Sequence, residues 1–203
     1  MDLKWLALRY DVTAILDVGA NDGAFAAYLQ RTFSDVPVFA FEPQEKYQSM
    51  LRERGFETFC VALSDHAGYA QFYETEADAA SSLHVTSELC REAYPTTQIA
   101  QTTQVQTARL DDLIPPVDGS LIKIDAQGAE LAIIAGAQDH LRTAQIVLIE
   151  QTFQVLYEGQ ALFNEVHAAL AELDLSMIGF RGQGVDEHQG GMPLFAHCIY
   201  VRG

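Results

Sequence analysis

The residues of this sequence best placed to do chemistry are glycines and carboxylates that stand at the ends of short apolar runs. Asp17-Val18-Gly19-Ala20-Asn21-Asp22-Gly23 follows the run Ala14-Ile15-Leu16. Gly19 and Gly23 can take backbone angles closed to other residues, and without a Cβ they let a ligand lie against the main chain. The N–H groups opening the next helix would then face an anionic group. Asp17 suits a cationic ligand group and would repel a pyrophosphate. Glu42, followed by Pro43, stands where a second strand should end, in position to accept bonds from both hydroxyls of a ribose. Asp125 ends a later apolar run and is a general-base candidate, as are Glu150, which ends another run, and His188, which titrates near neutrality. Lys123 shares a face with Asp125 by strand alternation and, if buried, should pair with Glu130 or Asp125.

Plainer readings stand beside these. The glycines would also serve a tight strand-to-helix turn, and Asp125 would also accept bonds from the Gln127 and Gly128 N–H groups at a helix start. His188 would also be an ordinary exposed loop histidine, and His84 is a weaker candidate for an acceptor pocket.

The elements that must position these groups alternate. Strands are expected at Ala14–Val18, Val36–Phe41, Phe56–Leu63, Leu121–Asp125 and Ile146–Glu150, with helices between them beginning at Gly23, after Pro43, at Ala129 and at Leu162. Tyr69–Tyr73 alternates like an exposed antiparallel strand, and two last strands are expected near Leu175–Phe180 and His197–Val201. Residues 74–104 show no clear period and are expected as loops and a short helix. The glycine-rich stretch Arg181–Pro193 joins the last two strands and is a candidate lid, though such a stretch is more often a long hairpin connection. This order predicts one α/β domain over residues 1–203, an open, mostly parallel sheet with helices on both faces.

Composition excludes more than it identifies. Twelve Lys and Arg against 28 Asp and Glu give a formal net charge of −16, which repels nucleic-acid phosphates and anionic lipid, and no basic cluster is present. Three scattered cysteines, Cys60, Cys90 and Cys198, form no CxxC pair and no zinc-ligand spacing, so a reduced cytoplasmic protein without a metal site is expected. No segment approaches the roughly 18 apolar residues of a membrane span, and the N-terminus has no secretory pattern. The chain begins almost at its first strand, so no N-terminal cap over the site is expected. A nicotinamide fingerprint would carry glycine at positions 21 and 24, where this chain has Asn21 and Ala24, which weakens an oxidoreductase reading. A non-catalytic binding module on the same sheet is the third reading.

With these residues in hand, the chain resembles the FkbM family of S-adenosylmethionine-dependent methyltransferases over roughly Ile15 to Arg202. Three blocks carry the resemblance: Leu16 to Gly23, Phe41-Glu42-Pro43, and Leu121-Ile122-Lys123-Ile124-Asp125-Ala126-Gln127-Gly128-Ala129-Glu130. Weaker agreement comes from Ala62 to Asp65, Ser81-Ser82-Leu83 and Arg109 to Leu113. The chain departs from many members at Gln127, where they carry Glu, and at His197, where they often carry an acidic residue. The resemblance implies a Rossmann-like methyltransferase fold, a seven-stranded sheet with an antiparallel last strand. It further implies S-adenosylmethionine as cofactor, with Asp17, Gly19, Ala20, Asn21 and Gly23 along its methionine part, Glu42 and Pro43 at the ribose, Leu63 and Ser64 at the adenine edge, and Asp125 near the methyl. The acceptor would be a hydroxyl of a small molecule, sugar or glycan.

Overall fold

Helix α1 (Leu3–Ala7) precedes strand β1 (Ile15–Val18), which is buried at all four positions, as a strand covered by helices on both sides must be. The computed structural model describes residues 2–203. From β1 the chain runs through α2 (Ala24–Thr32), β2 (Val38–Phe41), α3 (Glu45–Glu53) and β3 (Glu57–Phe59), building the sheet outward to one side. It then leaves that sheet. Strands β4 (Ala62–Leu63), β5 (Gly68–Thr75) and β6 (Ile99–Ala108) form a separate three-stranded sheet in the order β4-β6-β5, with α4 (Glu88–Ala93) between the last two.

After α5 (Leu110–Leu113) the chain returns on the other side of β1 as β7 (Leu121–Ile124), α6 (Glu130–Gly136), α7 (Gln138–Thr143) and β8 (Ile146–Thr152). The helix α8 (Phe163–Ala171) and the long hairpin β9 (Leu175–Asp186) and β10 (Met192–Arg202) complete it. The large sheet has the order β3-β2-β1-β7-β8-β10-β9. It is parallel except for β10, which runs antiparallel to both its neighbours. The seven strands, the helices on both faces and the antiparallel last strand are as expected. One face packs Leu3 and Leu6 of α1, Leu29 of α2 and Leu51 of α3 against Ile15 and Leu121. The other packs Ile133 and Ile134 of α6, Leu141 of α7 and Leu170 of α8 against Leu16, Ile122 and Val147.

Three expectations need correction. Phe56–Leu63 is not one strand: it breaks at Cys60, and its two halves join different sheets. Residues 74–104 contain most of β6, whose polar, largely exposed positions give no hydrophobic period. The segment Arg181–Pro193 is not a lid, because Arg181 to Asp186 and Met192 to Pro193 extend the last hairpin and only residues 187–191 turn. His140, in the last turn of α7, is fully buried and its Nδ1 lies 2.8 Å from Asp111 Oδ1.

One close approach holds two layers together. A Cβ at Gly136 would lie 2.0 Å from the Ser64 carbonyl oxygen, so α6 touches the end of β4 backbone to backbone. Gly136→Ala is therefore expected to destabilise the protein by about 1–3 kcal/mol through overpacking, measured as a lowered urea midpoint; an unchanged midpoint would show that this contact can open freely.

Candidate active site

Strand order reverses at β1, whose sequence neighbour β2 lies on one side and whose later neighbour β7 lies on the other, and at such a point the loops part to leave a crevice. A cavity of about 520 Å³ opens there, within the range of small-molecule sites. Gly19, Ala20 and Asn21 line it from the loop after β1, Glu42 and Pro43 from the end of β2, and Asp125 from the end of β7. A Cβ at Gly19 would stand 2.0 Å from the Asp125 carbonyl oxygen, so glycine there lets the two loops meet, with φ at +73°. Asn21 holds a left-handed φ of +49°, which aims its N–H at Glu42 Oε2, 2.9 Å away. Gln44 donates its N–H to Glu42 Oε1 at the same distance.

Glu42 is buried, and that burial pushes its carboxyl upward while the two N–H donors resist. Each oxygen keeps a second acceptor site, the capacity a ribose diol needs. Val61, Leu63, Phe72 and Leu83 form an apolar wall beyond it, partly supplied by the small sheet. The residues present thus fit a nucleoside: a carboxylate for the sugar, an apolar slot for the base.

Lys123 lies under the two loops. Its ammonium donates to the carbonyls of Gly19 (2.7 Å) and Val18 (3.2 Å) and forms ion pairs with Asp17 at 3.1 Å and Asp125 at 3.8 Å. The register of β1 on β7 sets Asp17 directly beside Lys123. Burial alone would lower Lys123, but the attraction of Asp17 and Asp125 overcomes it and holds the lysine above its ordinary value. Burial raises Asp17, and Lys123 opposes that rise. Neither Asp17 oxygen has an aligned hydrogen bond, so the ion pair supplies the compensation.

On the other side of β7, Asp125, Glu150 and His197 stand level across three neighbouring strands, since Ile124 pairs with Ile149 and Glu150 with His197. Gln127, at a left-handed φ of +56°, donates from Nε2 to Asp125 Oδ1 at 2.6 Å and to Glu150 Oε1 at 3.4 Å. Its own Oε1 accepts from the Tyr157 hydroxyl at 2.5 Å, and its carbonyl accepts from Ser82. Burial and the charges of Asp125 and Glu130 hold the Glu150 carboxyl well above the usual range. Burial lowers His197. Opposite His197, β9 carries one extra residue, Gly182, at a φ of +64°, and this bulge sets Arg181 against His197 at the cavity. The Arg181 guanidinium lies over Phe25 and Tyr28.

The cavity is lined by Gly19, Ala20, Asn21, Glu42, Pro43, Leu63, Asp125 and Glu150. It is not lined by five residues that were candidates for it. Asp17 lies beneath, fully buried and paired with Lys123 on the same face of the sheet. Gly23 starts α2, where a Cβ would meet Leu51 at 2.7 Å, so it serves helix packing. Ser64 is turned away, its hydroxyl donating to Asp65. His188 is exposed in the hairpin turn, and His84 contacts the Glu158 carbonyl rather than the cavity. Lys123 pairs chiefly with Asp17, not Glu130, which instead accepts the N–H groups of Ala126 and Gly128. Arg181 and the convergence of His197 with the two carboxylates were missed, since only the sheet brings them together. One ligand atom from each of Asp125, Glu150 and His197 lies within 4.8 Å of the others, a grouping that spacing along the chain does not show.

Comparison with known proteins points one way. The model of the methyltransferase FkbM domain matches residues 17–177. The chain is similar to the 2-O-methyltransferase NoeI of Sinorhizobium fredii, 29% identical over 177 residues that cover 79% of this chain and 72% of that protein. It is also similar to methyltransferase 1 of Beauveria bassiana, 24% identical over 149 residues, 64% of this chain and 60% of the relative. Among solved structures, a ribosomal protein L11 methylase from Lactobacillus delbrueckii subsp. bulgaricus superposes with a TM-score of 0.51 at 12% identity, covering 99% of this chain and 78% of that one. The 1,6-didemethyltoxoflavin-N1-methyltransferase of Burkholderia thailandensis gives 0.51 at 10% identity, covering 99% and 76%. These last two share the fold.

Two buried charges generate predictions. Lys123→Met strands the Asp17 carboxylate and is expected to cost about 3–5 kcal/mol in urea unfolding, while the double variant Asp17→Leu with Lys123→Met recovers most of it; equal losses in both would remove the pair from its structural role. Burial pushes Glu130 from its ordinary 4.5 up to about 7. Its unfolded form therefore ionises first, so stability falls as pH rises from 4.5 to about 7 and is level beyond. Glu130→Gln should flatten that slope and recover up to about 3 kcal/mol above it, read from urea midpoints across the pH range.

Proposed function

Because the chain belongs to the FkbM methyltransferase family, we propose that it transfers a methyl group to a hydroxyl of a small-molecule or carbohydrate acceptor. Methyltransferase activity and dependence on S-adenosylmethionine follow from that membership. When bound, S-adenosylmethionine supplies an electrophilic methyl on a sulfonium. The single observation that carries the site assignment is the crevice where strand order reverses, with Glu42 and the Gly19–Asn21 loop joined by one hydrogen bond. In this reading Gly19, Ala20 and Asn21 bound the methionine part, Glu42 and Pro43 the ribose, and Leu63 with its apolar neighbours the adenine.

The hydroxyl preference rests on the activity of the Sinorhizobium relative, a 2-O-methyltransferase. An alcohol must shed its proton as the new bond forms, and Asp125 and Glu150 are the carboxylates at the cavity able to take it. Asp125 fits better, because Glu150 is the more deeply buried. The formal charge of −16 argues against nucleic acid as acceptor. Free thiols at all three cysteines support work in a reducing cytoplasm, by one domain spanning residues 1–203. No helix among the described residues is long and apolar enough to cross a membrane.

Isothermal titration with S-adenosylhomocysteine and with its deoxyribose analogue tests the ribose assignment. The protein should bind the parent compound more tightly by about 1.5–3 kcal/mol for each hydroxyl bond lost. Glu42→Ala should erase that difference, with the fold checked by circular dichroism. Equal affinity for both compounds in the unaltered protein would refute the assignment.

A further inference from the structure

We propose that Asp125, Glu150 and His197 form a binding site for a divalent first-row transition-metal ion at the edge of the cavity. The three residues come from the end of β7, from β8 and from β10, and the register of those strands sets their ligand atoms within 4.8 Å of one another. Metal–ligand bonds of about 2.0–2.2 Å place two ligands at most about 4.4 Å apart across an ion, so small side-chain rotations that move the ligand atoms by about an ångström or less close the set. Two carboxylate oxygens and one imidazole nitrogen suit manganese, iron or zinc better than calcium, which prefers oxygen alone.

A second observation favours a cation as ligand. The Glu150 side chain is 8% exposed, yet its Oε2 receives no hydrogen bond. The nearest candidate, His197 Nε2, stands 3.8 Å away, too far to donate. Glu150 Oε1 has only the long 3.4 Å contact from the neutral Gln127 amide. Lys123 does not fill the gap, since its ammonium is 3.8 Å from Asp125 and is committed at shorter range to Asp17 and to the Gly19 carbonyl. Three carboxylates, those of Asp17, Asp125 and Glu150, thus share one ammonium. An ion held by three protein groups keeps open positions, and all three groups line the cavity. On the methyl-transfer reading given above, which this role rests on, the acceptor hydroxyl would occupy one of them and become more acidic.

The test is manganese binding to the EDTA-treated, dialysed full-length protein, followed by electron paramagnetic resonance, with S-adenosylhomocysteine affinity measured by calorimetry on the same sample. One Mn²⁺ per chain is expected, with a nitrogen hyperfine coupling from the imidazole. His197→Ala, at a half-exposed position that the fold tolerates, should abolish the coupling, and Glu150→Gln should weaken Mn²⁺ binding by about tenfold or more. Neither should impair S-adenosylhomocysteine binding. No Mn²⁺ bound at millimolar concentration, or binding that both variants leave unchanged, overturns the site. Cofactor that fails to bind while Mn²⁺ does overturns the methyltransferase assignment of the cavity and leaves the metal site standing.

Discussion

One ammonium group holds the cavity floor in shape. Lys123 stands between the ends of β1 and β7, bonded to two carbonyls of one loop and paired with a carboxylate from each strand. Burying a lysine is costly, and here the cost is met by groups that have to be where they are for the crevice to exist. The same contacts that neutralise it fix the path of Gly19 over the Asp125 carbonyl. Everything lining the Gly19 end of the cavity inherits its position from that arrangement.

The charges form a graded row along the rim. Glu42 serves one end, restrained by two backbone donors, and is prepared to meet hydroxyls. Glu150 at the other end is poorly solvated and poorly bonded, which makes it the more reactive of the two toward a proton or a cation. Gln127 sits between Asp125 and Glu150 as a neutral spacer. An acidic side chain at that position would set three carboxylates together, so the amide eases the crowding while still fixing both neighbours.

Much of this could be read from the chain because its parallel strands are apolar and its turns are marked. Leu16, Ile122 and Ile149 sit in runs that only a doubly covered sheet explains, and Gly19 and Glu42 fall where such a sheet leaves its crevice. Other parts were illegible for physical reasons. Strand β6 is built of Thr and Gln with both faces largely wet, so it carries no hydrophobic period, and only its β-branched residues hint at a strand. That Asp17 lies under the loop beside Lys123 was not legible, because a motif reports that a residue is needed, not which way it points. His197 and Arg181 reach the site through an antiparallel pairing that no local pattern specifies.

The extra residue in β9 has a consequence for how such an enzyme can diversify. Inward and outward positions exchange at Gly182, so the two halves of this strand answer to different neighbours. Leu175 belongs to the core beneath α8, while Arg181 addresses the mouth of the crevice. Substitutions beyond the kink can reshape what the mouth admits without disturbing the packed half. A single scaffold can in this way present many selectivities while its floor stays constant.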